Sequence, residues 1–322
     1  MIITRTPLRV SFTGGGTDIC DYYRVNGGAV VSTAINKYIY ITVNRKFDNA
    51  VRVSYSCTEI VSDINELRHE LVRECLKMAG ITGNIEITSV ADIPSGTGLG
   101  SSSSFTVGVL NALFTYTGRR LSASQLAELA CEIEIGVLKH PIGKQDQYAA
   151  AYGGLSFFEF LPDETVRYNK IPLHESDYRN MERKLMMFYT GITRSADGVL
   201  KEQKKNTSSK LETLDFMKNQ ACAMYRDMSE TGFNDGFARA LQQGWEKKRS
   251  LAGTISNDEI NALYEKALAA GAKGGKLLGA GGGGFLLFYC DEERQQAVRD
   301  ALGLKQTDFG IDMYGSQVVY FA

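Results

Sequence analysis

Histidine and tryptophan are nearly missing from this chain: His69, His140, His174 and one tryptophan are all that stand among 322 residues. So sparse a set leaves no zinc-ligand spacing and no Cys/His arrangement for nucleophilic catalysis. The six cysteines, at 20, 57, 75, 131, 222 and 290, include no C-x-x-C pair, so reduced, packed thiols are expected. Charge of one sign is lacking too. A formal net charge of −1 speaks against nucleic acid or a membrane surface as the main partner. No apolar run approaches a membrane span and the N-terminal text has no signal-peptide layout, so a cytoplasmic location is expected. A Walker loop is absent, because Gly-Lys-Ser/Thr never follows at the required spacing. Glycine is what the chain has, 33 residues of it, in a sequence long and apolar enough for two domains.

The most telling glycines lie in Pro94-Ser95-Gly96-Thr97-Gly98-Leu99-Gly100, followed by Ser101, Ser102, Ser103 and Ser104. Glycine at every second position permits positive φ and lets backbone N–H groups crowd an anion, while the serines add hydroxyls. Downstream, Phe105, Val109, Leu113 and Tyr116 recur at three to four residues until Thr117-Gly118. That spacing predicts a helix whose positive end carries the serines. A flexible linker of like composition would not feed straight into an apolar-periodic helix. The segment is therefore read as a polyphosphate loop.

Gly279 to Gly284 satisfies G-x-G-x-x-G, yet the apolar strand Phe285–Tyr289 follows where a dinucleotide fingerprint needs a helix. The Rossmann reading fails on that context. Gly281, Gly282 and Gly283 are instead expected to form a second wall by close backbone approach to a ligand or another loop. A third cluster, Gly14-Gly15-Gly16-Thr17-Asp18, ends a strand Leu8–Phe12 on a carboxylate. Asp18 there suits sugar hydroxyls, or caps the turn. Arg9 is either a guanidinium for the phosphate loop or an outward solvated residue.

Strands are expected over Ala29–Ser32, Tyr38–Val43, Arg52–Tyr55 and Ile85–Thr88, with a helix over Ile64–Met78. A second helix after the loop opens on Ser122 with Gln125 as capping-box partner and carries Leu126, Leu129, Ile133 and Val137. A break from Gly153 to Pro172 divides the chain into domains 1–170 and 171–322. Beyond it come a strand over Leu185–Tyr189 and helices over Leu211–Met228, Phe233–Leu251 and Asp258–Ala270. Strand Phe285–Tyr289, helix Glu292–Leu302 and strand Val318–Phe321 close the chain, and the class is α+β. The charge-rich stretch Ala196–Lys210 is read as a solvated helix face or loop, or a flap. Two carboxylates are candidates for chemistry, Glu134, flanking a buried helix face, and Asp146 in Gly143-Lys144-Gln145-Asp146, and each is otherwise a surface or helix-capping acid. One carboxylate, a serine hydroxyl and phosphate oxygens suffice for magnesium, leaving the other acid to handle a proton.

With the three glycine clusters in this order, and Pro94 to Ser102 matching P-x-G-x-G-L-G-S-S, the chain resembles the GHMP small-molecule kinases along nearly its whole length. The resemblance implies a ribosomal protein S5 domain 2-like N-terminal domain, a ferredoxin-like C-terminal domain, and ATP with its acceptor in the cleft between them. It implies Asp146 as catalytic base, Arg9 stabilising that base and the transferring phosphoryl, Glu134 and Ser102 as Mg²⁺ ligands, and Asp18 as a sugar-hydroxyl acceptor. Gly14-Gly15-Gly16-Thr17-Asp18 departs from the Gly-Glu-His-Thr-Asp of galactokinases, which removes two galactose contacts. Together with Gly143–Tyr148 and Tyr189–Ala196, the pattern is most similar to the subfamily of D-glycero-D-manno-heptose 7-phosphate kinases, which act on an anomeric hydroxyl on the way to a nucleotide-activated heptose. Fucokinase-like enzymes and a catalytically silent nucleotide sensor are the alternatives. A sugar phosphate acceptor implies a basic contact, for which Arg194 and Lys144 are the candidates.

Overall fold

Strand β1 (Ile2–Thr13) sets the frame of the first domain in the computed structural model, which describes residues 1–192 and 196–322. After helix α1 (Cys20–Asn26), β2 (Gly28–Arg45) returns antiparallel along nearly all of β1. Two strands expected separately are thus one. Its middle, Asn36 and Lys37, is polar because β2 changes its second partner there. Residues Gly28–Thr33 pair with one neighbour and Ile39–Arg45 with another.

The hairpin of β3 (Val51–Ser54) and β4 (Thr58–Val61) leads through a single 3₁₀ turn, Ile64–Glu66, to α2 (Glu70–Ala79). The helix expected from Ile64 is broken because the buried Glu59 carboxylate accepts the N–H groups of Arg68 (2.7 Å) and His69 (3.1 Å). Strand β5 (Ile85–Ala91) pairs with the second half of β2 and, in parallel, with β3. Then come α3 (Ser101–Tyr116), α4 (Ala123–Cys131) and α5 (Gln145–Tyr152). The Ser122–Gln125 capping box forms as its sequence requires. The segment read as a break contains the hairpin β6 (Leu155–Phe160) and β7 (Val166–Lys170), with β6 on the first half of β2. Helix α3 is buried at nearly every position, since it lies against β1 and β2 on one side and is covered by α2, α4 and α5 on the others.

The second half runs α6 (Glu175–Lys184), β8 (Leu185–Tyr189), α7 (Ala196–Asn206), α8 (Leu211–Thr231), α9 (Gly236–Arg249) and α10 (Asp258–Ala269). It continues with β9 (Gly274–Leu277), β10 (Phe285–Tyr289), α11 (Glu292–Leu302) and β11 (Gln317–Phe321). Its sheet is antiparallel in the order β8-β10-β9, with a single bridge from Phe188 to Gln306 at the free edge of β8. The last strand corrects the division at 170/171. β11 pairs with Ile2–Arg5 of β1, so the chain end belongs to the first sheet.

One apolar core runs through both halves, joining Phe12 and Val10 to Phe237, Phe285 and Leu287, while a second surrounds Trp245, Tyr264 and Phe288. Buried Lys276 on β9 pins them polar-wise, donating to Ser11 O and Phe12 O at 2.8 Å each. Among the described residues no helix is long and apolar enough to cross a membrane.

Candidate active site

Two irregularities shape β1: its register against β2 shifts between Pro7 and Leu8 and again between Ser11 and Thr13. Bulges re-aim side chains. Arg9, between them, is 4% exposed, and the outward solvated reading is excluded. Its guanidinium donates Nε and Nη2 to the two carboxylate oxygens of Asp146, each at 2.7 Å, and Nη1 to Gly98 O at 2.7 Å. Gly96, Gly98 and Gly100 hold φ of 77°, 85° and 74°, the left-handed region their spacing predicts. A side chain at Gly98 would fall 2.6 Å from Leu278 O. Because α3 begins directly after Gly100, its first N–H groups have no partner within the helix. Gly96, Gly98, Gly100, Ser101, Ser102 and Ser103 border one cleft with Arg9 and Asp146.

The glycine turn after β1 faces the same cleft through Gly15, Gly16 and Asp18. Gly14 and Thr17 do not: a Cβ on Gly14 would lie 1.9 Å from Ala29 O, and Thr17 Oγ1 donates to Gly14 O at 2.8 Å. They shape the turn. Asp18 serves both readings made of it, bordering the cleft while accepting from Gly16 N (2.8 Å) and Gln145 N (3.2 Å). It thereby ties the turn to the segment that presents Asp146. Burial raises the Asp18 carboxyl above its ordinary range, the Gly16 N–H opposing and the Asp146 charge adding to the rise.

Beyond Cys131 the expected helix widens into a π-helical turn, Glu132–Val137, with Leu138 N reaching back to Ile133 O at 2.9 Å. Such turns recur at functional sites. Here it carries Glu134 fully inside. Ser103 Oγ donates to Glu134 Oε2 at 3.1 Å, Glu134 Oε1 has no partner among the described residues, and burial lifts the carboxyl to about 7. A buried carboxylate oxygen without a donor, next to serine hydroxyls, is a hard-oxygen set that fits Mg²⁺. Ser102 borders the cleft and is exposed; among the described residues its hydroxyl makes no hydrogen bond, and the buried Ser101 hydroxyl has no partner either.

Other expected residues lie elsewhere. Leu99 is in the core, Ser104 Oγ donates to Pro7 O at 2.8 Å, and Pro94 borders a separate recess with Tyr189 and Phe285. Lys144 is not at the cleft: its ammonium is held by the Glu164 carboxylate, which also accepts from Tyr23 Oη (2.6 Å) and Arg24 Nε (2.5 Å). Against the cost of burial, those donors bring Glu164 down to about 2. Arg194 lies outside the described residues. The Gly279–Gly284 cluster reaches the cleft only through Gly279 and Ala280. Gly281 and Gly283 are fitted instead against the carbonyl oxygens of Ile255 and Ile192, where a Cβ would stand 2.7 Å away in each case, and Gly282 N donates to Ile255 O.

Several cleft residues escaped the sequence reading. Leu200 and Gln203 of α7 border it, so the charge-rich stretch turns one face inward. Ser11, His140, Gln145 and Lys248 do so as well. Lys248 left a usable signal: Leu241, Trp245 and Lys248 follow at four and three residues, so this lysine continues an apolar stripe. The surrounding Glu246-Lys247-Lys248-Arg249 hid it.

Comparison with known proteins bears on this cleft directly. The model of the GHMP kinases N terminal domain matches residues 66–154 and that of the GHMP kinases C terminal domain residues 226–306. A D-glycero-alpha-D-manno-heptose 7-phosphate kinase of Campylobacter jejuni is 31% identical over 95% of this chain and 94% of its own. An L-fucokinase/L-fucose-1-P guanylyltransferase of Bacteroides fragilis is 28% identical over 92% of this chain, which spans 35% of that longer protein. The crystal structure of a D-glycero-D-manno-heptose 1-phosphate kinase from Bacteriodes thetaiotaomicron superimposes with a TM-score of 0.83 at 25% identity, covering 100% of each chain. All three are sugar kinases by name, and on the strength of these matches the chain belongs to the GHMP kinase family of phosphotransferases.

Proposed function

We propose that this enzyme transfers the terminal phosphoryl of ATP to the anomeric hydroxyl of D-glycero-D-manno-heptose 7-phosphate, giving the 1,7-bisphosphate. One observation carries the chemistry: the bidentate Arg9–Asp146 pair at the mouth of a glycine loop that opens a helix. The loop amides and Arg9 bind and orient phosphate oxygens, and the Asp146 carboxylate accepts the hydroxyl proton as the acceptor oxygen attacks phosphorus in line. An anomeric hydroxyl is more acidic than an ordinary alcohol, which suits a carboxylate already shared with a guanidinium. Glu134 and Ser102 would hold Mg²⁺, which when bound neutralises charge on the nucleotide phosphates. Asp18 and the Gly15–Gly16 backbone border the sugar side.

The heptose assignment is supported by the Campylobacter jejuni relative and by the glycine turn that lacks the galactose contacts. With Lys144 taken by Glu164, Arg194 is the remaining candidate for the acceptor's phosphate. The test is a panel of the heptose 7-phosphate, the heptose 1-phosphate, free heptose and L-fucose with ATP and Mg²⁺, read by phosphorus NMR. A new anomeric phosphate on the 7-phosphate, made faster than on the free sugar, is expected. Preference for L-fucose would move the enzyme to the fucokinase-like group. No turnover with any sugar would favour the nucleotide sensor.

A further inference from the structure

The cleft contains a cation that the steps above leave unused. Lys248 is 6% exposed and borders the same cleft as Arg9, Asp18 and Asp146. Its ammonium donates to Gly279 O. The nearby acids are otherwise engaged, Asp146 by Arg9 and Asp18 by Gly16 and Gln145, so among the described residues Lys248 has no carboxylate in contact. Burial first, and the Arg9 charge second, lower it to about 8, while Asp18 and Asp146 pull the other way. A buried ammonium with one of three donors used and no protein anion lacks a partner that a ligand anion would supply.

Its place says which anion. Gly279, which Lys248 holds, packs on the phosphate loop so closely that a Cβ there would lie 2.4 Å from Gly98 Cα. Gly98 O in turn accepts from Arg9 Nη1 at 2.7 Å. Lys248, the loop and the Arg9–Asp146 pair are thus one contiguous set of contacts.

We propose that Lys248 is a further catalytic residue, its ammonium contacting the phosphoryl group in transit and stabilising the charge on its oxygens. In that step the acceptor oxygen forms its bond to phosphorus, and the bond from phosphorus to the bridging oxygen of ATP breaks. The electron pair of that bond stays on ADP and the acceptor's proton passes to Asp146. Lys248 keeps its own proton throughout, and its contribution is electrostatic. The inference rests on the kinase assignment and not on which sugar is accepted.

Lys248→Met keeps the length and removes the charge. In calorimetric titrations with Mg²⁺, the variant is expected to bind ADP as wild type does but to lose the tightening that aluminium fluoride, a mimic of the phosphoryl in transit, gives to ADP. In turnover, kcat should fall by about 10²–10³, the range for loss of a preorganised charge-stabilising donor. Lys248→Arg should recover part of both. Should the Met variant lose ADP binding altogether, Lys248→Gln retains a donor for the Gly279 carbonyl and carries the same comparison. Fluoride-dependent tightening that survives in the charge-free variants overturns the proposal. So does an intact kcat with a raised KM for a sugar phosphate, which would give the cation to the acceptor's own phosphate. The fluoride titration contains no sugar, so it fails or succeeds separately from the heptose assignment.

Discussion

Both walls of the cleft are rich in glycine, and they use it differently. On the phosphate-loop side, Gly96, Gly98 and Gly100 adopt positive φ and border the ligand space themselves. On the facing side, Gly281 and Gly283 are fitted against Ile255 and Ile192, and Gly284 against the loop, where a Cβ would stand 2.2 Å from Thr97 O. One wall's glycines line the cleft and the other's buttress them. Glycine density marks close backbone approach in both, but Gly96, Gly98 and Gly100 also open onto the cleft, whereas Gly281, Gly283 and Gly284 meet protein alone. Their charges differ likewise. The loop wall holds its acid and guanidinium already paired, whereas on the facing side the Lys248 ammonium donates to Gly279 O and has no carboxylate in contact among the described residues.

The comparison breaks most sharply at Asp146. Asp146→Asn keeps the shape and an oxygen for Arg9 but removes the proton acceptor, so kcat should fall by about 10²–10⁴ while ATP affinity, measured by calorimetry, stays near wild type. Retention of most of kcat would leave the loop wall without its base. Next in size is Gly284→Ala, which adds a methyl against Thr97 O at a position with φ of 97°. We expect a loss of about 1–3 kcal/mol in urea unfolding, together with a raised KM for ATP, because the loop must shift. Gly118→Ala is the control: its φ is 77° but nothing lies within 4 Å, so stability alone should suffer. Equal KM values for ATP in the two variants would dissolve the buttress.

Much of the loop wall was legible because its chemistry is written in contiguous residues. Gly96 to Ser104, the Ser122 cap and the strand after Gly284 all follow from local φ preference and periodicity, and the structure has them. What stayed hidden depends on partners far along the chain. Nothing near Lys144 announces that Glu164 will neutralise it, and nothing near Gly281 announces Ile255. The return of β11 to β1 joins the two ends of the sequence, a pairing that no local pattern encodes. Helical periodicity puts Glu134 beside the buried face, yet its full burial needs the π-helical turn that shifts the helix phase after Cys131.

Glu134→Gln sharpens the contrast between paired and unpaired charge. If its free Oε1 serves Mg²⁺, a magnesium titration of activity should shift by more than the tenfold or so at which loss of a merely orienting partner begins. A pH series without Mg²⁺ gives an independent reading. Burial raises Glu134 from its ordinary 4.5 to about 7, so the folded protein keeps a proton that the unfolded chain has released. Wild-type stability from this group therefore falls as pH rises from about 4.5 through about 7. The Gln variant cannot titrate and should melt above wild type beyond that window, with the gap closing below it. Added Mg²⁺ should then raise wild type alone. A constant gap at all pH values would mean that Glu134 is not the titrating group.

The smallest expected effect separates two neighbouring serines. Ser103 Oγ is committed to Glu134 Oε2 at 3.1 Å, while among the described residues Oε1 has no partner and Ser102, exposed at the cleft, has an unbonded hydroxyl. Removing the Ser103 hydroxyl takes away an orienting bond and no metal ligand. Ser103→Ala should therefore shift the magnesium midpoint by about tenfold, the low end for a partner that only orients a ligand. Ser102→Ala should shift it further, since its hydroxyl is the one at liberty to reach the metal. Both variants keep the backbone N–H groups at the start of α3, so KM for ATP at saturating Mg²⁺ should change little in either. If Ser103→Ala exceeds Ser102→Ala, the serine sharing the metal is the one already bonded to Glu134, and the bond seen here is one that Mg²⁺ displaces.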